Sequence, residues 1–212
     1  MQLRKPVWVV VFSVAALVAA FVGLRRFGGT WLVPDFIRVQ AEQTKSKDNV
    51  RSLILFLRAS DRGVKTPLPV YEGKSFLLWF VAAIMIDRRD ARMLGLLFSP
   101  ADRERSLAKA GGIEAYRDVT LESLRLPDPA RDRLTSYAGP RRSGVAAAPP
   151  ANKGEDGVPL IADLAFPDGA IVGFAGGKSK WLTREELGLG PADPLIAGAA
   201  SKSPILRQLT SE

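Results

Sequence analysis

The sequence predicts an α+β protein: an N-terminal transmembrane helix, followed by a head in which a long helix packs on a small antiparallel sheet. Three observations lead there. Residues 6–24 (PVWVVVFSVAALVAAFVGL) carry no charge. Val50, Leu53, Ile54 and Leu57 fall at i, i+3, i+4 and i+7, the spacing of one helix face. Toward the C-terminus, short apolar runs alternate with Pro167-Asp168-Gly169 and Gly176-Gly177, a strand–turn–strand pattern. Composition then narrows the chemistry. The 212 residues include no His and no Cys, which excludes Ser-His-Asp and Cys-His catalysis, disulfides and nearly all zinc sites. Lys+Arg 30 against Asp+Glu 22 gives a net charge of +8, which favours anionic neighbours without specifying one.

The first element, residues 1–26, reads as a membrane anchor. Nineteen helical residues span roughly 28 Å, close to a bilayer core. Arg4 and Lys5 precede the run, Arg25 and Arg26 follow it, and Trp8 and Trp31 lie near its ends, where aromatic belts form. A cleaved signal peptide is the competing reading. Its apolar core is shorter, about 7–15 residues, so an uncleaved anchor fits better. Arg4, Lys5 and the terminal amine slightly outweigh Arg25 and Arg26, which puts the N-terminus in the cytoplasm and the bulk of the chain outside.

Residues 27–60 read as a hinge and the long helix of the head. Gly28-Gly29 breaks the chain, and Pro34 suits a first helical turn. The all-apolar run 53–57 predicts a turn packed on every side. Residues 61–138 form a mixed helical middle. Ser75 is a candidate cap for the apolar run 76–86 (FLLWFVAAIMI), too short to span a bilayer and suited to a buried helix or strand. Ser99-Pro100-Ala101-Asp102 resembles a helix start, opening a short polar helix toward Gly111-Gly112. Residues 139–157, rich in Gly, Pro and Ala, read as a loop or linker. Residues 158–190 contain strands at 160–166, 170–175 and 178–182. A Thr183-Arg184-Glu185-Glu186 capping box then opens a short helix that Gly188 stops. Residues 191–212 read as a flexible tail.

Two stretches carry a family resemblance. The first is Val33-Pro34-Asp35-Phe36-Ile37-Arg38-Val39-Gln40-Ala41, continuing through Asn49-Val50-Arg51-Ser52-Leu53. The second is Ser136-Tyr137-Ala138-Gly139 with the hairpin from Asp168-Gly169 through Gly173-Phe174-Ala175-Gly176-Gly177-Lys178 to Trp181-Leu182. Together they resemble the first helix and last hairpin of bacterial type IV pilins and type II secretion pseudopilins. No Gly-Phe-Thr-Leu-Ile-Glu leader precedes the apolar run. The resemblance therefore implies a static, membrane-anchored relative with a pilin-like head rather than a major pilin. It also implies that the stripe of Val50, Leu53, Ile54 and Leu57 packs on strands that include Val172, Phe174 and Trp181.

No catalytic, cofactor-binding or metal residue is assigned. Residues 173–179 imitate a phosphate loop, but Val172 stands where the motif needs its first Gly, so a hairpin is the better reading. Asp163 and Asp168, with Glu155 and Asp156, offer oxygen ligands for calcium, which some pseudopilin heads bind; Asp at turns is common without metal. Arg88, Arg89, Arg92, Arg103 and Arg105, like Arg141 and Arg142, are interleaved with acids and read as solvated mixed-charge faces. The expected function is a structural or interaction module of an envelope secretion or pilus-like assembly. It would sit in a bacterial inner membrane as a single-pass protein with a periplasmic head. Its expected partners are the lipid bilayer and other pilin-like or assembly subunits, not nucleic acid or a small-molecule substrate. The alternatives are a tethered periplasmic protein unconnected with filaments, or a membrane-anchored hydrolase using carboxylates or a Ser-Lys pair.

Overall fold

The structure, a computed structural model, describes residues 35–63, 71–83, 90–125, 128–141 and 158–211. The uncharged run 6–24, the Gly28-Gly29 hinge, Pro34, Arg88, Arg89, Arg142, Glu155 and Asp156 lie outside those residues. Among the described residues no helix is long and apolar enough to cross a membrane. The chain forms two compact units, Met1–Gln40 and Ala41–Glu212. Of the first, residues 35–40 are described: Arg38 pairs with Asp35 at 3.1 Å, and Phe36 and Ile37 are exposed.

The second unit holds the head. Helix α1 (Asp35–Gly63) contributes most of its length to it. The buried stripe of α1 is Ser46, Asn49, Val50, Leu53, Ile54 and Leu57, one face at 3.6-residue periodicity. The expected apolar stripe is therefore buried, and two polar residues extend it by one turn. The expectation of a turn packed on every side does not hold, because Leu55 is 49% exposed. A single helix resting on a core has one face left for solvent.

Helix α2 (Gly73–Ala83) resolves the helix-or-strand ambiguity of the second apolar run. Phe76 through Val81 are all buried, and the Phe80 ring lies 5.5 Å from that of Phe56 on α1. The helix starts two residues before Ser75, so Ser75 is not its cap; Gly73 opens it at φ 57°. A short helix α3 (Ala91–Gly95) follows, capped by the Asp90 carboxylate on the Arg92 and Met93 amides. The polar helix expected after Ser99 is absent. Ser99, Asp102 and Ser106 each accept a hydrogen bond from a backbone N–H two or three residues ahead. Such side-chain bonds compete with the helical ladder and leave a series of turns. Short 3₁₀ segments at Ile113–Tyr116, Ser123–Arg125 and Pro129–Leu134 complete the middle of the head.

The sheet begins with β1 (Gly139–Pro140), inside the stretch expected to be linker. Then β2 (Pro159–Asp163), β3 (Gly169–Phe174) and β4 (Ser179–Thr183) form the expected antiparallel meander in the order β2-β3-β4. Cross-strand partners share a face. Ile161 with Gly173, and Asp163 with Ile171 and Trp181, therefore face one side; Ala162 with Val172 and Lys180 face the other. Helix α1 lies on the Gly173 side. A Cβ at Gly173 would collide with the side chains of Ile54 and Val50, so the missing side chain sets how closely helix and strand approach. The expected helix–hairpin packing is present, with Trp181 in the same core as the α1 stripe. Val172 and Phe174, however, belong to a second core on the opposite face. Choosing Val172 and Phe174 as the α1 face assumed that the larger apolar residues meet the helix. In fact the helix occupies the face where Gly173 leaves room.

The second core corrects the expectation of a flexible tail. Leu187, Leu189, Leu206 and Leu209 pack on Ala162, Ala170, Val172 and Phe174. Strand β5 (Leu209–Thr210) pairs with β1. The Thr183–Glu186 capping box forms reciprocally: the Thr183 amide donates to Glu186 Oε2 at 2.8 Å, and the Glu186 amide to Thr183 Oγ1 at 3.3 Å. It opens a single turn that closes before Leu189 rather than a regular helix. Arg184 then ties the segment down, donating to the carbonyls of Pro167 at 3.0 Å, of Gly190 at 3.1 Å, and of Asp193.

Candidate functional site

The densest polar chemistry lies where the first buried turn of α1 meets the end of β2. Helical spacing sends Ser46 and Asn49 inward, and strand alternation sends Asp163 toward them from the sheet. Ser46 Oγ donates to Asp163 Oδ2, and the Ala165 amide donates to Oδ1 at 3.0 Å. Asn49 Nδ2 and the Tyr137 hydroxyl both donate to the Phe98 carbonyl, at 3.2 and 3.0 Å. The Thr135 hydroxyl donates to the neighbouring Leu97 carbonyl at 2.8 Å. Among the described residues no buried side-chain polar atom lacks a partner.

Electrostatics follow from burial. Asp163 is 0% exposed, and desolvation pushes its carboxyl above the ordinary range. The Ser46 and Ser99 hydroxyls and the Ala165 amide pull it back, while Asp102 adds a small upward push. Tyr137, buried beside that carboxyl, is also raised, mainly by desolvation. Lys74 on α2, itself buried, forms a separate contact with the exposed Asp132, its ammonium 3.3 Å from that carboxylate. Burial and then Arg105 lower its pKa, against the pull of Asp132.

A Ser–Asp hydrogen bond is also a unit of nucleophilic catalysis. Here both Ser46 and Asp163 are fully buried beneath α1, so a substrate could reach Ser46 only by displacing the helix. Lys74 bonds to Asp132 rather than to a serine. What this arrangement does is fix α1 on the meander. Ser46–Asp163 pins one end, the Ser179 hydroxyl donates to the Lys47 carbonyl at 3.0 Å, and Arg58 donates to the Gly176 carbonyl at 2.7 Å beyond the apolar contact.

The other sequence-derived candidates separate. Asp163 is interior, whereas Asp168 is exposed on the turn before β3, so the two carboxylates do not converge. Among the described residues no group of three His, Cys, Asp or Glu side chains could hold a metal ion. Residues 173–179 form the β3–β4 turn, and a strand rather than a helix follows Lys178. Arg103 pairs with Glu42, and Lys109 lies 3.9 Å from Glu104, a mixed-charge surface at that position. The sequence reading missed Ser46, Asn49, Lys74 and Arg184. Ser46 and Asn49 were detectable, since they continue the Val50–Leu57 stripe backward by one turn. Lys74 and Arg184 carried no such periodic signal. No protein-family model, curated protein or solved structure matches the chain.

Proposed function

We propose that this chain is a membrane-anchored, pilin-like interaction module of an envelope secretion or pilus-like assembly, with its head outside the cytoplasm. The observation that carries the reading is the seating of α1 on the antiparallel meander through Gly173, with polar pins beyond each end of the contact. A helix fixed in this way keeps one face on the head and leaves the outer face, with Leu55, open to a partner subunit. The uncharged run 6–24, flanked by basic pairs, supplies the anchor in the sequence. Ser46 and Asp163 are both buried where α1 meets the sheet, which supports reading the pair as a pin that seats the helix.

The test is site-specific photo-crosslinking in the native cell envelope, with the crosslinker at Leu55, an exposed apolar residue on the part of α1 that lies in the head. The expected products are adducts to other membrane-anchored assembly subunits. Adducts confined to lipid and soluble periplasmic proteins would contradict an assembly role.

A further inference from the structure

We propose that Asp163 is a proton-operated latch on α1: protonated, it holds the first buried turn of the helix on the end of β2, and ionised it lets the helix fray through that turn while the apolar stripe beyond stays seated. Asp163 is fully buried, and among the described residues no Lys or Arg pairs with it. The elements packed against it present neutral groups or a second acid. From α1 come Ser46, whose hydroxyl donates to Oδ2, and Asn49. The turns that begin at Ser99 present the Ser99 hydroxyl and Asp102, whose carboxylate opposes another negative charge nearby. Tyr137 lies beside the carboxyl, but its hydroxyl donates to the Phe98 carbonyl at 3.0 Å. The Ala165 amide reaches Oδ1 at 3.0 Å, and Ile171 and Trp181 share its face of the sheet. One turn before Ser46, Glu42 is engaged by Arg103, so that pair supplies no counter-charge. An ionised Asp163 therefore has no cation to offset its lost hydration, and water must reach it.

The turn that covers the carboxyl is also the part of α1 that opens most cheaply. It buries Ser46 and Asn49 rather than large apolar side chains, so opening it exposes little hydrocarbon to water. Residues 41–45 before it include no fully buried residue, and a helical stretch without tertiary support is marginal in water. Farther along, Leu53, Ile54 and Leu57 lie in the main core, and Arg58 donates to the Gly176 carbonyl at 2.7 Å. The helix is thus held at its apolar end and releasable at its polar end. Linkage sets the direction. The closed, desolvated carboxyl binds its proton more tightly than the opened, hydrated one, so the latch is shut at low pH and released as pH rises. The latch rests on the head alone, not on an anchor or an assembly partner.

The experiment is amide hydrogen exchange on the full chain in neutral detergent, from about pH 4 to pH 8, read as protection factors so that the intrinsic pH dependence of exchange cancels. The amides of residues 46–50 should lose protection as pH rises, by up to about tenfold per pH unit, the slope for one proton. Their exchange should be insensitive to low denaturant, because fraying through one turn exposes little surface. The amides of residues 170–174 in β3 should be better protected at every pH and exchange by a denaturant-sensitive opening. Asp163→Asn should hold the protection of residues 46–50 level across pH. Ser46→Ala removes a donor to the ionised carboxyl in the closed latch, so it should carry the decline to higher pH; it keeps the test decisive if the Asn variant misfolds. Protection at residues 46–50 that does not fall with pH, or that falls equally in Asp163→Asn, would overturn the proposal. So would a decline unmoved by Ser46→Ala, or exchange of residues 46–50 and 170–174 through one shared, denaturant-sensitive opening. None of these outcomes depends on the Leu55 adducts, so the latch and the assembly role fail separately.

Discussion

The two faces of the β2-β3-β4 meander are both buried, by opposite means. One receives a single regular element, α1, through Gly173 and a stripe with strict helical spacing. The other receives an irregular C-terminal segment that supplies Leu187, Leu189, Leu206 and Leu209 from turns and a two-residue strand. The helical face carries polar pins, Ser46–Asp163 and Arg58–Gly176. Beside the other face, Arg184 gathers the carbonyls of three separated residues. A periodic element announces its buried face in sequence, whereas an aperiodic one does so only when its burial is seen. Large residues can therefore lie under either, and the smallest residue marks where a helix comes close.

The most severe way to break this comparison is to truncate each face in turn. Leu53→Ala on the helical side and Leu206→Ala on the other should each cost about 2–5 kcal/mol, as buried Leu→Ala changes do. Chemical denaturation of the two variants measures it. A loss near zero for Leu206→Ala would return the C-terminal segment to the status of a loose tail. A smaller effect should come from Gly173→Ala, which pushes a methyl group into Ile54 and Val50 and should cost about 1–3 kcal/mol through overpacking. Ala170, on the opposite face of the same strand, already carries a Cβ. If Gly173→Ala proved neutral, the helix would sit farther from the strand than described.

The smallest effect concerns Asp163. Its pKa is raised in the folded state, so the folded protein binds this proton more tightly than the unfolded chain. The stabilising contribution is full below the unfolded value of about 3.9. It is lost as pH rises through the raised native value. Asp193 acts in the opposite sense, because Lys202 and the Gly190 amide lower its pKa. Its contribution is lost as pH falls below the ordinary carboxylate range. Asp163→Asn keeps an acceptor for the Ala165 amide, offers its new NH2 to the Ser46 hydroxyl, which then accepts instead of donating, and removes the charge. The variant should match or exceed the parent at neutral pH and lose the decline above the ordinary range; denaturation midpoints measured across pH check both. An Asn variant much weaker than the parent at neutral pH would mean that the carboxylate itself is required.

Much of the fold was legible because its signals are local. The α1 stripe, the buried apolar run of α2 and the two turns of the meander each needed only neighbouring residues to be recognised. What was not legible depended on distant partners. The inward turn of Asp163 depends on Ser46, 117 residues away in sequence. Gly139 lies close against the backbone of Gly73, so β1 could not be read from a Gly-Pro pair in a linker-like stretch. The turns after Ser99 carried a valid helix-start signal, but Asp102 and Ser106 supplied competing bonds a few residues on.

The proposed anchoring and extracytoplasmic placement of the head can be tested directly, because the chain contains no Cys. Glu122→Cys, at an exposed position of the head, gives it a single thiol. Intact spheroplasts are treated with a membrane-impermeant maleimide and then extracted at alkaline pH. The expected outcome is a full-length chain that labels in intact spheroplasts and stays in the membrane pellet. A chain that labels only after lysis, or that leaves the pellet shortened by its N-terminal run, would contradict an anchored, extracytoplasmic head.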